Sequence, residues 1–181
     1  MTGYSSEEYL LATGDRRVQH EFAIVQVSPV GAGRATLGDT ARTVIRITMR
    51  LRSLGDRRLT LDGTSIRLSV AASENRSFRA VSPERVVGRL EAAPHQEETL
   101  DIFFALPPEV APRDLEGLEL TWMVHAGPDA YMTATPIAQR FVPGSNAVSF
   151  YVVPGAHPLL FPVERRWVVP RQEAHRTTVV F

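Results

Sequence analysis

The sequence predicts an antiparallel β-sandwich. Three observations carry that expectation: apolar residues recur at every second position in several segments, turn-forming pairs separate those segments at short intervals, and the crossover helices of a parallel α/β fold are missing.

Taken in order, the elements begin with a short helix expected over Ser5 to Leu11, followed by a strand over Gln19 to Val27. The glycines of VGAGRATLGD come next. Their spacing does not fit a dinucleotide-binding loop, and a strand follows where that motif demands a helix, so they read as a flexible connection. In Thr43 to Arg52, the residues Ile45, Ile47, Met49 and Leu51 alternate with Arg46, Thr48, Arg50 and Arg52, the pattern of a strand with one face in a core and one in water. Leu59 to Leu61 then runs through an Asp62-Gly63 turn into Ile66 to Val70, and Ser77 to Val81 is a further strand candidate.

A second helix is expected from Pro83 to about Glu91, with Ser82 as N-cap and Pro83 as first helical residue, although the same stretch reads equally as an inter-strand loop. Leu100, Ile102, Phe104 and Leu106 alternate with Thr99, Asp101, Phe103 and Ala105, and Leu118, Leu120, Trp122 and Val124 with Glu119, Thr121 and Met123. Gly38-Asp39, Gly55-Asp56, Pro107-Pro108 and Gly127-Pro128 supply further turns. From Pro136 onward the texture changes, because six of the 13 prolines and six of the 14 aromatic residues fall there. Proline cannot donate to a central ladder, so this stretch should be edge-like or wrapped over the sandwich. The expected organisation is an N-terminal segment over 1–17, the sandwich over 18–135, and a C-terminal extension over 136–181 that packs on or extends it.

Composition narrows the function classes. With 181 residues, 44% hydrophobic and 22% charged, the chain suits one packed core. The formal net charge is zero, so no global field draws it to nucleic acid or to anionic lipid. Every basic residue is Arg, which reads as the bias of a GC-rich bacterial genome. Without Cys there are no disulfides, thiolate metal sites or cysteine nucleophiles. No apolar run approaches the roughly 20 residues of a membrane-spanning helix. The start lacks a basic segment followed by an apolar one. The expected compartment is therefore the cytoplasm as the chain stands, or the cell envelope if an export signal precedes it.

The stretches LRSLGDRRLTLDGTSIRL and PHQEETLDIFFALPPEVAPRDLEGLELTWMV resemble the immunoglobulin-like domains of bacterial envelope lipoproteins, a family of unknown function, over residues about 18–125. The likeness rests on the turn Ser53 to Asp56, the Leu-rich Leu59 to Leu68, Pro94, the Phe104-Ala105-Leu106-Pro107 run and Leu118 to Trp122. It implies an immunoglobulin-like antiparallel β-sandwich serving as an interaction or ligand-presenting module, and it implies no reaction. The lipidated Cys of such lipoproteins has no counterpart here.

Candidate sites are few. His20, His95, His125, His157 and His175 share no local ligand spacing. The tightest metal candidate is Met123, His125 and Met132, whose thioether and imidazole groups suit Cu(I); alternation turns Met123 and His125 to one face, while Met132 lies beyond a Gly-Pro turn. Arg46, Arg50 and Arg52, with Arg42 just before them, place guanidinium groups on one outward face, able to grip an anion or to pair across strands with Glu97, Asp101 or Glu119. Glu7-Glu8 and Glu97-Glu98 read as solvated surface, and Asn75-Arg76-Ser77 as a chance glycosylation triplet. No nucleophile elbow or activated Ser-His pair is present.

Phe150, Tyr151, Leu160, Phe161 and Trp167 in the tail are the expected partner-binding residues if that tail stays exposed; folded back, they close the sandwich edge. The function expected is a non-catalytic protein-interaction or structural module, without a cofactor, that docks to a partner protein or to a second copy of itself. The alternative is a sandwich that binds a small ligand or copper.

Overall fold

The computed structural model describes residues 7–13, 20–70, 80–111, 117–141, 148–152, 161–163 and 167–171, and all of its regular elements are strands. In chain order they are β1 (Glu7–Thr13), β2 (His20–Leu37), β3 (Thr40–Ser53), β4 (Leu59–Leu61), β5 (Arg67–Val70), β6 (Arg85–Val87), β7 (Glu91–Ala92), β8 (Glu97–Ala105), β9 (Leu118–Ala126), β10 (Asp129–Phe141), β11 (Val148–Val152), β12 (Phe161–Val163) and β13 (Trp167–Arg171). They pair antiparallel in two sheets. The first has the order β13-β1-β2-β3-β8-β6 and the second β11-β10-β9-β4-β7, with β12 also on β10 and β5 also on β9. Among the described residues no helix is long and apolar enough to cross a membrane.

The two sheets face each other across one apolar core, a sandwich-like arrangement. The alternating residues of the sequence point into it as their period requires: Ile45, Ile47, Met49 and Leu51 on β3, Leu100, Ile102 and Phe104 on β8, and Leu118, Leu120, Trp122 and Val124 on β9 are all buried. Two-residue turns fix two of the hairpins. Gly38 at φ +61° and Gly127 at φ +63° each take the first place of such a turn, where a positive φ suits glycine, and Pro128 fits the second with its own negative φ.

Several expectations give way to tertiary pairing. The N-terminal helix is absent; β1 runs through that segment, paired with β2 and β13, and its Tyr9 and Leu11 are fully buried. The period-two burial of those two side chains outweighs the helical preference of Glu, Leu and Ala. The expected Pro83–Glu91 helix is instead β6, a turn at Gly88 and β7. Gly88 stands at φ +111°, and any Cβ there would meet the Thr99 carbonyl oxygen at 2.7 Å, so the chain passes close over β8 as it crosses from the first sheet to the second. The glycine-rich segment is no loose connection but the far half of β2, paired with β3 from Gly31–Arg46 to Leu37–Thr40. Ser77 to Val81 lies mostly outside the described residues; Val81 itself bridges Leu68.

At the expected boundary of 135/136, β10 continues without a break. Its outer side pairs with β12 at Ala130–Met132 and with β11 at Ile137–Phe141, and Pro136 falls in the gap between the two, where a missing N–H costs no ladder bond. Pro162 and Pro170 likewise sit in outermost strands, β12 and β13. The chain thus adds outer strands to the second sheet and then an outer strand to the first.

Candidate functional site

Three groupings of polar or reactive side chains stand out, one on each outer face and one between the sheets. On the outer face of the first sheet, β3 presents Arg46, Thr48, Arg50 and Arg52, and β8 lies beside it with Glu97, Thr99 and Asp101. Arg46 reaches Asp101 at 2.7 Å and lies over the Phe103 ring at 5.9 Å; Arg50 Nε reaches Glu97 at 3.3 Å. Thr48 also donates to Asp101, at 2.5 Å. Partial burial would raise the Asp101 pKa, but the hydrogen bonds from Thr48 and Arg46 and the charge of Arg46 together hold it below the ordinary 3.8.

Cross-strand pairing therefore occupies Arg46 and Arg50. Glu119 is no partner for them, because β9 carries it on the other sheet. Two shallow depressions of about 50 and 140 Å³ flank these side chains, lined by Gln26 and Arg50 together with Arg52 and Glu97 or with Ser28 and Thr48. Both fall well short of the roughly 300 Å³ or more of a pocket for an organic ligand.

The second grouping lies on the outer face of the second sheet. The Gly127-Pro128 turn folds β10 back on β9 so that Met132 stands in register with Met123, and Ala130 with His125. The turn expected to separate Met132 from the other two is what brings it beside them. On the other side of β9, Thr60 is in register with His125, and the turn after β4 closes on Met123 through Asp62 N–H to its carbonyl and its N–H to Ser65 Oγ, both 2.9 Å. The Thr64 hydroxyl and backbone N–H donate to the Asp62 carboxylate and lower its pKa; burial opposes them, while His125 and Ser65 assist. Met123, His125 and Met132 are all half-buried.

Between the sheets, the inner face of β10 is polar. Thr135 accepts the Trp122 indole N–H at 3.1 Å and shares a 2.6 Å bond with the Tyr9 hydroxyl, and the Tyr9 and Trp122 rings meet edge-on at 5.2 Å. Thr133 and Tyr131 continue the stripe, yet neither hydroxyl has a hydrogen-bond partner among the described residues although both are buried. Burial raises the Tyr131 phenol to about 12, with Arg57 pulling the other way. Arg57 closes this end of the core: it pairs with the buried Asp129 at 2.6 Å and lies over the Phe22 ring at 5.2 Å. Nothing in the alternation of β10 announced this seam, because a Thr at every second position reads as the wet face of a strand.

The remaining candidates scatter. His95 pairs with Asp56 at 3.0 Å in the turn before β8, far along the chain from the other histidines. Glu97 is exposed and Glu98 half-buried at the start of β8. Glu7 and Glu8 lie in β1 and His20 in β2; His157, His175, Leu160 and the Asn75-Arg76-Ser77 triplet lie outside the described residues. In backbone register Phe150 pairs with Gln139, Tyr151 with Ala138, Phe161 with Met132 and Trp167 with Ala12, which ties these tail residues into the two sheets. No group of three or more His, Cys, Asp or Glu gathers among the described residues. No family model, curated protein or solved structure matches the chain.

Proposed function

We propose that the chain is a non-catalytic interaction module of a bacterial protein, built as an immunoglobulin-like sandwich, which associates with a second copy of itself through the far half of the β2–β3 hairpin. The strand order supports the immunoglobulin-like reading. If β2, β3, β4/β5, β6, β8, β9 and β10 stand for strands A to G, the neighbours A-B-E-D and C-F-G follow that fold. Its departure is Trp122, buried on the F position where such domains keep a tryptophan on C.

The observation that carries the docking role is the pairing of 34–37 with 40–43 at the far end of the hairpin. Beyond Val27 β1 no longer accompanies β2, and before Val44 β8 no longer accompanies β3. Thr43 still accepts the Leu106 N–H at 2.8 Å and β11 packs near β2, so the ribbon whose ladder bonds run only between its own two strands among the described residues is the hairpin tip, 34–37 with 40–42. An isolated two-stranded ribbon is marginal in water, and its ladder edges are ready to accept a further strand. With zero formal charge two copies approach without strong repulsion, and two ribbons lying antiparallel about a two-fold axis pair one edge of each with the other.

Light scattering across a concentration series, run together with amide hydrogen exchange, tests this. The expected result is a dimer whose Gly33 to Thr36 amides gain protection as concentration rises, and a monomer when residues 35–42 are replaced by an Asn-Gly turn that keeps Arg34 opposite Thr43. A native chain that stays monomeric, with ribbon exchange independent of concentration, refutes the proposal.

A further inference from the structure

We infer that the outer face of the second sheet is a binding site for a soft monovalent metal ion, Cu(I) or its stand-in Ag(I), with the thioethers of Met123 and Met132 and the imidazole of His125 as ligands. The register carries the geometry. Met123 and Met132 are direct cross-strand neighbours on one face, and His125 follows Met123 on that same face. Opposed residues in an antiparallel pair hold their Cβ atoms about 5 Å apart. Successive residues on one face of a strand are separated by about 7 Å. Three long side chains rooted on such a triangle converge on a single ion without any backbone movement. Ala130, opposite His125, adds no bulk that would crowd the imidazole.

The surroundings hold this triangle in place. Met123 is fixed through its backbone by β10 on one side and by the Asp62–Ser65 turn on the other. The Thr64 and Ser65 hydroxyls bond in turn to the Asp62 carboxylate and carbonyl, which keeps that turn closed beside Met123.

Donor chemistry selects the ion. Thioethers are soft, neutral ligands that compete poorly with water for Zn(II), Mg(II) or Ca(II), and they suit Cu(I). The chain has no Cys to compete for that ion, and of its four methionines Met49 is buried in the core while Met1 is outside the described residues. On β10 the usual order is inverted as well: Thr133 and Thr135 face inward, and Met132 is turned to the water side. This site is independent of the ribbon, and its test is indifferent to the oligomeric state.

The experiment uses the full chain with ¹³C-methyl methionine, titrated with silver nitrate and followed by NMR, and in parallel an anaerobic competition for Cu(I) against bicinchoninate. The Met123 and Met132 methyl signals should shift together and saturate at one ion per chain while the Met49 signal stays put. Met123→Leu and Met132→Leu, which keep the side-chain shape at half-exposed positions, should each weaken Cu(I) binding by at least the about tenfold that even outer-shell partners of a metal are worth. Thr60→Val, one strand away, should change nothing, and equal circular dichroism across the set certifies the fold. Three results overturn the inference: no silver-dependent shift at Met123 and Met132, a Met123→Leu/Met132→Leu double variant that still competes for Cu(I) like the native chain, or Zn(II) held as tightly as Cu(I).

Discussion

Thr133 and Thr135 stand two positions apart on the same inward face of β10, and replacing each by Val should have opposite effects. Both are buried, at 1% and 0% exposure, so the substitutions share one shape, one strand and one solvent environment. Thr135, however, holds the Trp122 indole N–H and the Tyr9 hydroxyl, whereas the Thr133 hydroxyl has no partner among the described residues. Leaving a buried donor unsatisfied costs about 1–3 kcal/mol. Thr135→Val strands the indole N–H and removes a bond from Tyr9, so it should destabilise by about 2–3 kcal/mol. Thr133→Val removes a hydroxyl whose burial is uncompensated, a burden of about 1–3 kcal/mol by mutational scales, and should be neutral or stabilising by up to that amount.

Urea unfolding at neutral pH measures both, with an unchanged slope confirming that the unfolded states are alike. For a chain of this size each kcal/mol moves the thermal midpoint by about 2–4 °C, so the two variants should separate clearly in a melt. A Thr133→Val variant that loses as much as Thr135→Val would refute the reasoning, since its hydroxyl would then be bonded in the folded protein.

The other expectations concern the backbone and the charges. Gly88→Ala should cost more than about 2 kcal/mol, because it combines an unfavourable φ with a Cβ pressed against the Thr99 carbonyl, and a chemical melt decides it. Arg57→Met keeps an apolar stem over Phe22 but removes an ionic partner of buried Asp129, and should cost about 1–3 kcal/mol by the same measurement. Tyr131 ionises at about 12 in the fold against 10.0 ordinarily, so the unfolded chain releases its proton first as pH rises. Stability from this group is therefore full below 10.0 and lost between 10.0 and about 12, and Tyr131→Phe should flatten that part of the alkaline unfolding profile. Asp101 behaves in the opposite sense. Its lowered value gives stability that is present above 3.8 and lost as pH falls further, and Asp101→Asn should remove that share of the acid transition.

Much of the sandwich was legible in the sequence because β3, β8 and β9 each carry one buried and one wetter face, and period two is then unmistakable. The segments that misled are those whose shape depends on distant partners. Tyr9 and Leu11 become a strand pair only because β2 lies beside them, and the glycines of β2 extend because β3 does. A β-bulge opposite Leu11 and Ala12 turns Phe22 and Ala23 both inward, which no alternation rule anticipates. The soft-ligand face was half legible: the donor types and the shared face of Met123 and His125 could be read directly, whereas the place of Met132 depended on recognising Gly127-Pro128 as a two-residue hairpin turn. The inner seam was hidden, since Thr133 and Thr135 advertise solvent.

The central place of β3 in its sheet has a kinetic consequence. Its bond with β2 closes across two turn residues, an event of about 1–10 μs. Its other neighbour arrives from far along the chain, as Thr48 and Asp101 are 53 positions apart, and the Tyr9–Thr135 contact spans 126. Such long closures put refolding in the milliseconds-to-seconds range of about 10⁰–10³ per second seen for sandwiches. The hairpin must therefore wait, with one flank uncovered, for most of the molecule to find it.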